Sequence, residues 1–173
     1  MDSSCVKTGP LCNKSSEAIL GARSPVIPVI VLTVLFVVLS LAGRLGVPFV
    51  WGWWTSLRLA LAGMFLLTAS AHWGKRRADL VRMVPPVLPK PELLVTLTGI
   101  LEILGAMGLL LPYTARLAAG GLSLLLLCLF PANVRAAREK MTIGGRQVPA
   151  LLPRTAIQIV FVAATIAVVL GAD

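Results

Sequence analysis

Apolar residues fill five long stretches of this chain, and polar residues collect in the segments between them. A helix needs about 20 residues to cross a hydrocarbon layer of ~30 Å, and each stretch is close to that length. The stretches cover residues 25–43, 52–72, 93–112, 115–133 and 151–170. The pattern therefore predicts an all-α fold, a polytopic bundle of transmembrane helices.

The composition agrees with a membrane location. Hydrophobic residues make up 57% of the chain and charged residues 13%, and the mean hydropathy is +0.90. A soluble fold of 173 residues could not bury that much apolar surface. The net charge of +9 does not indicate a nucleic-acid partner, because such a protein needs a basic face beside a packed soluble core. The partner that the composition predicts is the lipid bilayer.

The first apolar stretch has two interpretations. It carries no charge and is longer than the apolar core of most signal peptides, which favours a membrane-spanning helix over residues 25–43. However, Ser40-Leu41-Ala42 resembles a signal-peptidase site, in which two small residues are separated by a single residue. We expect an extra N-terminal transmembrane helix behind a cytoplasmic polar tail, residues 1–24. Cleavage would leave four helices in the same orientation.

The distribution of basic residues predicts the orientation. With the N-terminus in the cytoplasm, the cytoplasmic side carries all of the 16 Lys and Arg residues except Arg44, Arg58 and Arg116. Positive charge collects on the cytoplasmic side of membrane proteins, and tryptophans favour the headgroup zone. Three tryptophans within residues 51–54 lie at the outer end of the second span. We therefore predict a multi-pass protein of the cell (inner) membrane with a cytoplasmic N-terminus.

A basic loop follows the second span and leads into a proline-rich segment. Its first cations are Lys75, Arg76, Arg77 and Arg82. Basic residues beside a membrane are attracted to anionic lipids by about 1 kcal/mol each. The loop is thus expected to face lipid or a cytoplasmic partner protein.

Polar residues inside a membrane are costly and usually face the interior of a helix bundle. Glu102 lies in the middle of the third span, on a face that it shares with Thr98 and with small residues, while the opposite face is leucine-rich. Glu102 is therefore expected to point into the bundle. Two roles stay open: a carboxyl group that ties helices together, or one that handles protons or a ligand.

Other polar residues lie toward the ends of their spans. If the helix faces meet, one polar pocket is lined by His72, Thr98, Glu102, Asn133, Gln158 and Arg58. The alternative is that His72 and Asn133 cap their helices, and that Arg58 extends to the outer surface instead of toward Glu102. The three cysteines form no metal-binding spacing, so no metal site is predicted, and no catalytic residue is assigned.

Several short motifs occur in a distinctive order. They are Arg58-Leu59-Ala60-Leu61-Ala62-Gly63-Met64-Phe65, His72, Met83-Val84-Pro85, Thr98-Gly99 with Glu102, and Phe130-Pro131-Ala132-Asn133. Together they resemble the DoxX-like family of small membrane proteins over about residues 55–170. The resemblance implies a four-helix DoxX-like membrane domain, residues 52–170, to which this chain adds the helix at residues 25–43.

The resemblance also implies a function. The family is named after a subunit of a thiosulfate:quinone oxidoreductase, and other members are membrane partners of redox enzymes or assembly factors. It implies an accessory subunit of a membrane oxidoreductase system, with a redox partner protein and a polar pocket that faces a quinone. The alternative is a non-catalytic scaffold or assembly factor that docks a cytoplasmic partner. A small transporter that uses Glu102 is a third interpretation.

The sequence contains no redox centre of its own. A single histidine excludes haem ligation by two histidines of one chain, and no catalytic motif is present. The isolated chain is therefore not expected to be an enzyme, and a quinone is the cofactor that the resemblance allows. Small-residue stripes on the helices are compatible with a homo-oligomer.

Overall fold

The structure, a computed structural model, describes residues 26–143, 146–147 and 150–171. The predicted polar tail, residues 1–24, lies outside the described residues. Six α-helices are present in the described part: α1 (Ile27–Arg44), α2 (Trp53–Ser70), α3 (Arg77–Met83), α4 (Pro91–Leu110), α5 (Pro112–Arg138) and α6 (Leu151–Gly171). A 3-10 turn (Pro48–Val50) follows α1, and two residues each of β1 (Thr142–Ile143) and β2 (Arg146–Gln147) pair antiparallel before α6. The predicted all-α fold is confirmed.

Four of the described helices are long and apolar enough to cross a membrane: α1, α4, α5 and α6. This supports the prediction of a membrane protein. The second predicted span, which corresponds to α2, is not among them. Its 18 residues include Arg58 and several hydroxyl and indole side chains, which lower its hydropathy.

Helix α2 nevertheless lies at the centre of the fold. It packs along α1 on one side and along α4 and α6 on the others, and its apolar residues are largely buried. Because α4 also packs on α5, and α5 on α6, the four helices α2, α4, α5 and α6 close into a ring. Helix α1 lies against α2. A helix that is surrounded by other helices can keep its polar residues away from lipid. The low hydropathy of α2 is therefore compatible with a position inside the bundle.

Glycines allow the helices to approach closely. A Cβ atom at Gly63 would come within 2.6 Å of the Leu35 side chain on α1. A Cβ atom at Gly105 would come within 2.6 Å of Leu122, on the neighbouring helix α5. These contacts place the α1–α2 and α4–α5 backbones near each other, as is common in membrane bundles.

One end of the ring carries α3 and the proline-rich segment that follows it, and we call it the basic end. Met83 of α3 and Ala136 of α5 form a small buried cluster there. Helix α4 begins at Pro91, with the acidic Glu92 in its first turn. The N–H that proline lacks would have no partner within the helix there, and the helix dipole favours a negative charge at this end.

Candidate functional site

His72 and Glu102 meet inside the ring, between α2 and α4. The His72 Nε2 atom lies 3.6 Å from Glu102 Oε1. The other carboxyl oxygen, Oε2, accepts a hydrogen bond of 2.9 Å from the hydroxyl of Thr68. The histidine side chain is 9% exposed and the glutamate side chain 7%. The carboxyl group predicted to face the bundle interior is therefore buried, and it is contacted by Thr68 of α2 and by His72 in the turn that follows α2.

The protons of this pair follow from a backbone contact. The His72 Nδ1 atom lies 2.7 Å from the carbonyl oxygen of Val95. A carbonyl can only accept, so Nδ1 carries a hydrogen atom. If the pair carried no further proton, the unprotonated Nε2 would face the Glu102 carboxylate, and two hydrogen-bond acceptors would lie next to each other. One proton between Nε2 and Oε1 removes that repulsion, either as an imidazolium–carboxylate pair or as a neutral imidazole and carboxylic acid.

Gly99 makes room for the imidazole. A Cβ atom on Gly99 would lie 2.7 Å from His72 Cβ and 2.8 Å from Trp73 Cη2, both of which belong to the turn that follows α2. Thr98 lies beside it, with its hydroxyl donating to the Val95 carbonyl at 3.1 Å and standing 3.4 Å from His72 Nδ1. The glycine is thus what lets the turn after α2 rest directly on α4.

Arg77 lies at the basic end and bonds to the backbone of His72 and to the first turns of α4. Its Nη1 donates to the His72 carbonyl at 3.0 Å, and its Nη2 donates to the Thr96 hydroxyl at 2.8 Å and to the Glu92 carbonyl at 3.2 Å. The sequence places Arg77 with the lipid- or partner-facing cations. In the structure it joins the turn after α2 to the first turns of α4, whereas Lys75, Arg76 and Arg82 are exposed.

A second polar cluster joins α5 to α6. The Asn133 amide donates to Gln158 Oε1 at 2.9 Å and accepts from Arg154 Nη2 at 2.5 Å. The Gln158 amide in turn donates to the Leu126 carbonyl of α5 at 2.5 Å. Asn133 does not end its helix as an isolated cap, because α5 continues through Pro131 to Arg138.

The predicted pocket residues therefore divide into two groups. His72, Thr98 and Glu102 come together on α2 and α4, and Asn133 and Gln158 come together on α5 and α6. Within the described residues, no hydrogen bond or ion pair joins one group to the other. Arg58 belongs to neither: its Nε atom is buried without a hydrogen-bond partner among the described residues. No trio of His, Cys, Asp or Glu side chains that could hold a metal ion occurs in the described part of the chain.

Thr68 is a site residue that the sequence analysis does not assign. Its position four residues before His72 puts both side chains on one face of the α2 segment, and this spacing is the sequence signal that could have found it. Arg154 is the corresponding omission in the second cluster, four residues before Gln158. In both cases the partner on the next helix depends on how the two helices are aligned, which spacing within one helix does not contain.

A protein-family model, described as Domain of unknown function (DUF8561), matches residues 61–169. The chain belongs to this family. The DUF8561 match begins within α2 and ends in α6, so it contains both polar clusters, while α1 and Arg58 precede it. No curated protein and no solved structure matches the chain.

Proposed function

We propose that this DUF8561 protein is an accessory subunit of a membrane oxidoreductase system, and that its His72–Glu102 pair exchanges a proton with a quinone headgroup. In this proposal the chain lies in the cell membrane with its N-terminus and basic end in the cytoplasm. The observation that carries it is the buried contact between the His72 imidazole and the Glu102 carboxyl group, with His72 Nδ1 lying 2.7 Å from the Val95 carbonyl oxygen. The motif order that resembles the DoxX-like family supports the same function.

The proposed chemistry is the transfer of a proton from the pair. Reduction of a quinone takes up protons together with electrons, and a quinone oxygen accepts a hydrogen bond. The electrons in this proposal come from the partner enzyme. The part of this chain is to orient the headgroup, to deliver a proton from the His72–Glu102 pair, and to take up another from the basic end. Thr68 keeps the carboxyl group in place during the exchange.

The closed surroundings of the pair suit this role. Apolar packing around an ionisable group excludes bulk water and makes the position of a single proton energetically important. On the basic end, the Arg77 side chain donates to the His72 carbonyl, in the turn after α2, and to the Thr96 hydroxyl of α4. We expect a proton that reloads the pair to pass beside this guanidinium.

The experiment is native mass spectrometry of the full chain, extracted in mild detergent after membrane expression, with Glu102→Gln as the test variant. Thr165→Val is the matched control, because it also removes a buried polar group, one that pairs with Ser123 at 2.7 Å on α5. We expect a retained quinone on the wild type and on Thr165→Val, and loss of it on Glu102→Gln. Equal retention by all three forms, or a wild type that carries no quinone, would refute the proposal.

A scaffold or assembly factor is the second candidate, and one observation favours it. Both members of the pair are less than a tenth exposed, and they join α2 to α4 as a structural tie would. In a scaffold, Glu102→Gln would leave partner capture intact, whereas replacing the exposed Lys75 and Arg76 with Gln would weaken it. Co-purification of cytoplasmic proteins with each variant separates the two candidates.

A further inference from the structure

The basic end carries a groove that the proposed redox role does not use. Helix α3 and the proline-rich segment turn back toward the end of α5 and leave a space of about 440 Å³. Its apolar walls include Val84, Pro85, Leu88 and Met141, and two arginines, Arg82 and Arg135, complete the lining. An apolar cleft with paired guanidinium groups has the composition that an anionic amphiphile requires.

The groove is held in shape by contacts between its two sides. Arg135 Nη1 donates to the Val84 carbonyl across the groove, and its Nε donates to Glu139 Oε1 at 2.9 Å. Behind the wall, Met83 packs against Ala136. These contacts fix the Arg135 guanidinium group at the edge of the cleft and use two of the five N–H donors that a guanidinium carries.

The surroundings are both cationic and apolar. Arg82 is 64% exposed in its side chain although it pairs with Asp79, and Lys75, Arg76 and Lys90 are also exposed. Between these cations the loop presents Val87, which is 86% exposed. An exposed aliphatic side chain amid basic residues is typical of segments that lie at the surface of an anionic membrane.

The position of the groove brings it to that surface. One wall lies where α5 ends, and the other lies just before α4 begins. Both helices are long and apolar enough to span a membrane. The groove therefore opens beside the headgroups of the leaflet at the basic end. Guanidinium groups bind phosphate oxygens through paired hydrogen bonds, which an ammonium group does less specifically.

We propose that this groove binds the phosphate headgroup of an anionic phospholipid, with Arg82 and Arg135 on the phosphate oxygens and the acyl chains beside Val87 and Leu88. The proposal does not depend on the His72–Glu102 pair. It assigns Arg82 a different role from Lys75 and Arg76, which attract the membrane surface without lining a site.

The test compares two double variants that remove equal charge from the same end of the molecule. The full chain is reconstituted in nanodiscs of phosphatidylcholine with a minority of phosphatidylglycerol and then re-extracted, and the lipids that stay bound are counted by native mass spectrometry. We expect Arg82→Gln/Arg135→Gln to reduce bound phosphatidylglycerol by roughly tenfold or more. Lys75→Gln/Arg76→Gln should retain it within about twofold of the wild type, because general attraction to a charged surface ends when the membrane is removed by extraction.

Further arms keep the result interpretable. Arg82→Gln alone changes an exposed side chain, so it should fold normally and still lose part of the bound lipid, even if the loss of Arg135 disturbs the loop. Millimolar inorganic phosphate should not displace the lipid, whereas displacement would show a site for free phosphate and overturn the proposal. Equal losses in the two double variants would show diffuse attraction instead of a groove, and no loss in Arg82→Gln would also contradict it.

Discussion

Replacement of Gly99 by alanine tests how the His72–Glu102 pair is built. The new methyl group would lie 2.7 Å from His72 Cβ and 2.8 Å from His72 Cγ. Carbon atoms in ordinary contact are about 3.5–4.0 Å apart, so the imidazole and α4 must separate by roughly 1 Å. A movement of that size takes Nε2 out of reach of Oε1, which is already 3.6 Å away, and stretches the Nδ1 contact with Val95.

The cost in stability follows from two opposing effects. Overpacking of a close contact costs about 1–3 kcal/mol. Alanine regains up to about 1 kcal/mol because it favours a helix more than glycine does. We therefore expect Gly99→Ala to lower the free energy of unfolding by about 1–2 kcal/mol. The control is Gly120→Ala on α5, because a Cβ atom there meets no atom within 4 Å, and it should leave stability equal or higher.

The assay uses the fact that the chain contains a single histidine. Labelling histidine with ¹⁵N gives one pair of imidazole resonances in detergent micelles, which report the tautomer and the hydrogen bonds of both ring nitrogens. We expect a protonated Nδ1 in the wild type and in Gly120→Ala, and a changed pattern in Gly99→Ala. Unaltered resonances and an unaltered melting temperature in Gly99→Ala would refute the argument that this glycine positions the pair.

Three further changes separate the two polar clusters. Thr68→Val removes the hydroxyl that donates to Glu102 and should lower the free energy of unfolding by about 0.5–1.5 kcal/mol. It should also shift the infrared band of the Glu102 carboxyl group, which is identified by its loss in Glu102→Gln. A band that does not move would contradict the contact. Gln158→Leu removes the oxygen that accepts from the Asn133 amide nitrogen and should lower the free energy of unfolding by about 1–3 kcal/mol. The His72 imidazole resonances should stay unchanged, because the two clusters are separate. Arg77→Gln should speed hydrogen–deuterium exchange at the start of α4 without loss of the fold. Equal exchange in both forms would show that the Arg77 guanidinium does not stabilise this part of α4.

The inward direction of Glu102 could be predicted from one helix, because a face with Thr98 and Gly99 opposite a leucine-rich face has only one favourable orientation in lipid. Its contact with His72 could not. That contact depends on the turn that follows α2, whose alignment with α4 is set by the close approach at Gly99. The same limit applies to the hydrogen bond between Asn133 and Gln158, because it depends on how α5 and α6 are aligned.

The number of spans shows a different limit. Hydropathy treats each helix as if lipid surrounded it, so Arg58 and the hydroxyl groups of α2 count against membrane crossing. In the fold, α2 is enclosed by α1, α4 and α6, and several of its residues, such as Ser56 and Ala60, are fully buried. Pro131 likewise does not end α5, because a proline within a membrane helix is tolerated when neighbouring helices satisfy the freed backbone groups.

A proton on the His72–Glu102 pair would also set the net charge that is buried in the bundle. With that proton the two side chains are neutral as a unit, whether it resides on the nitrogen or on the oxygen. Without it, a full negative charge would remain in a medium that solvates charge poorly, and such a charge is costly. Loss of the proton alone is therefore unfavourable, and the proposed exchange requires that each departing proton be replaced by another.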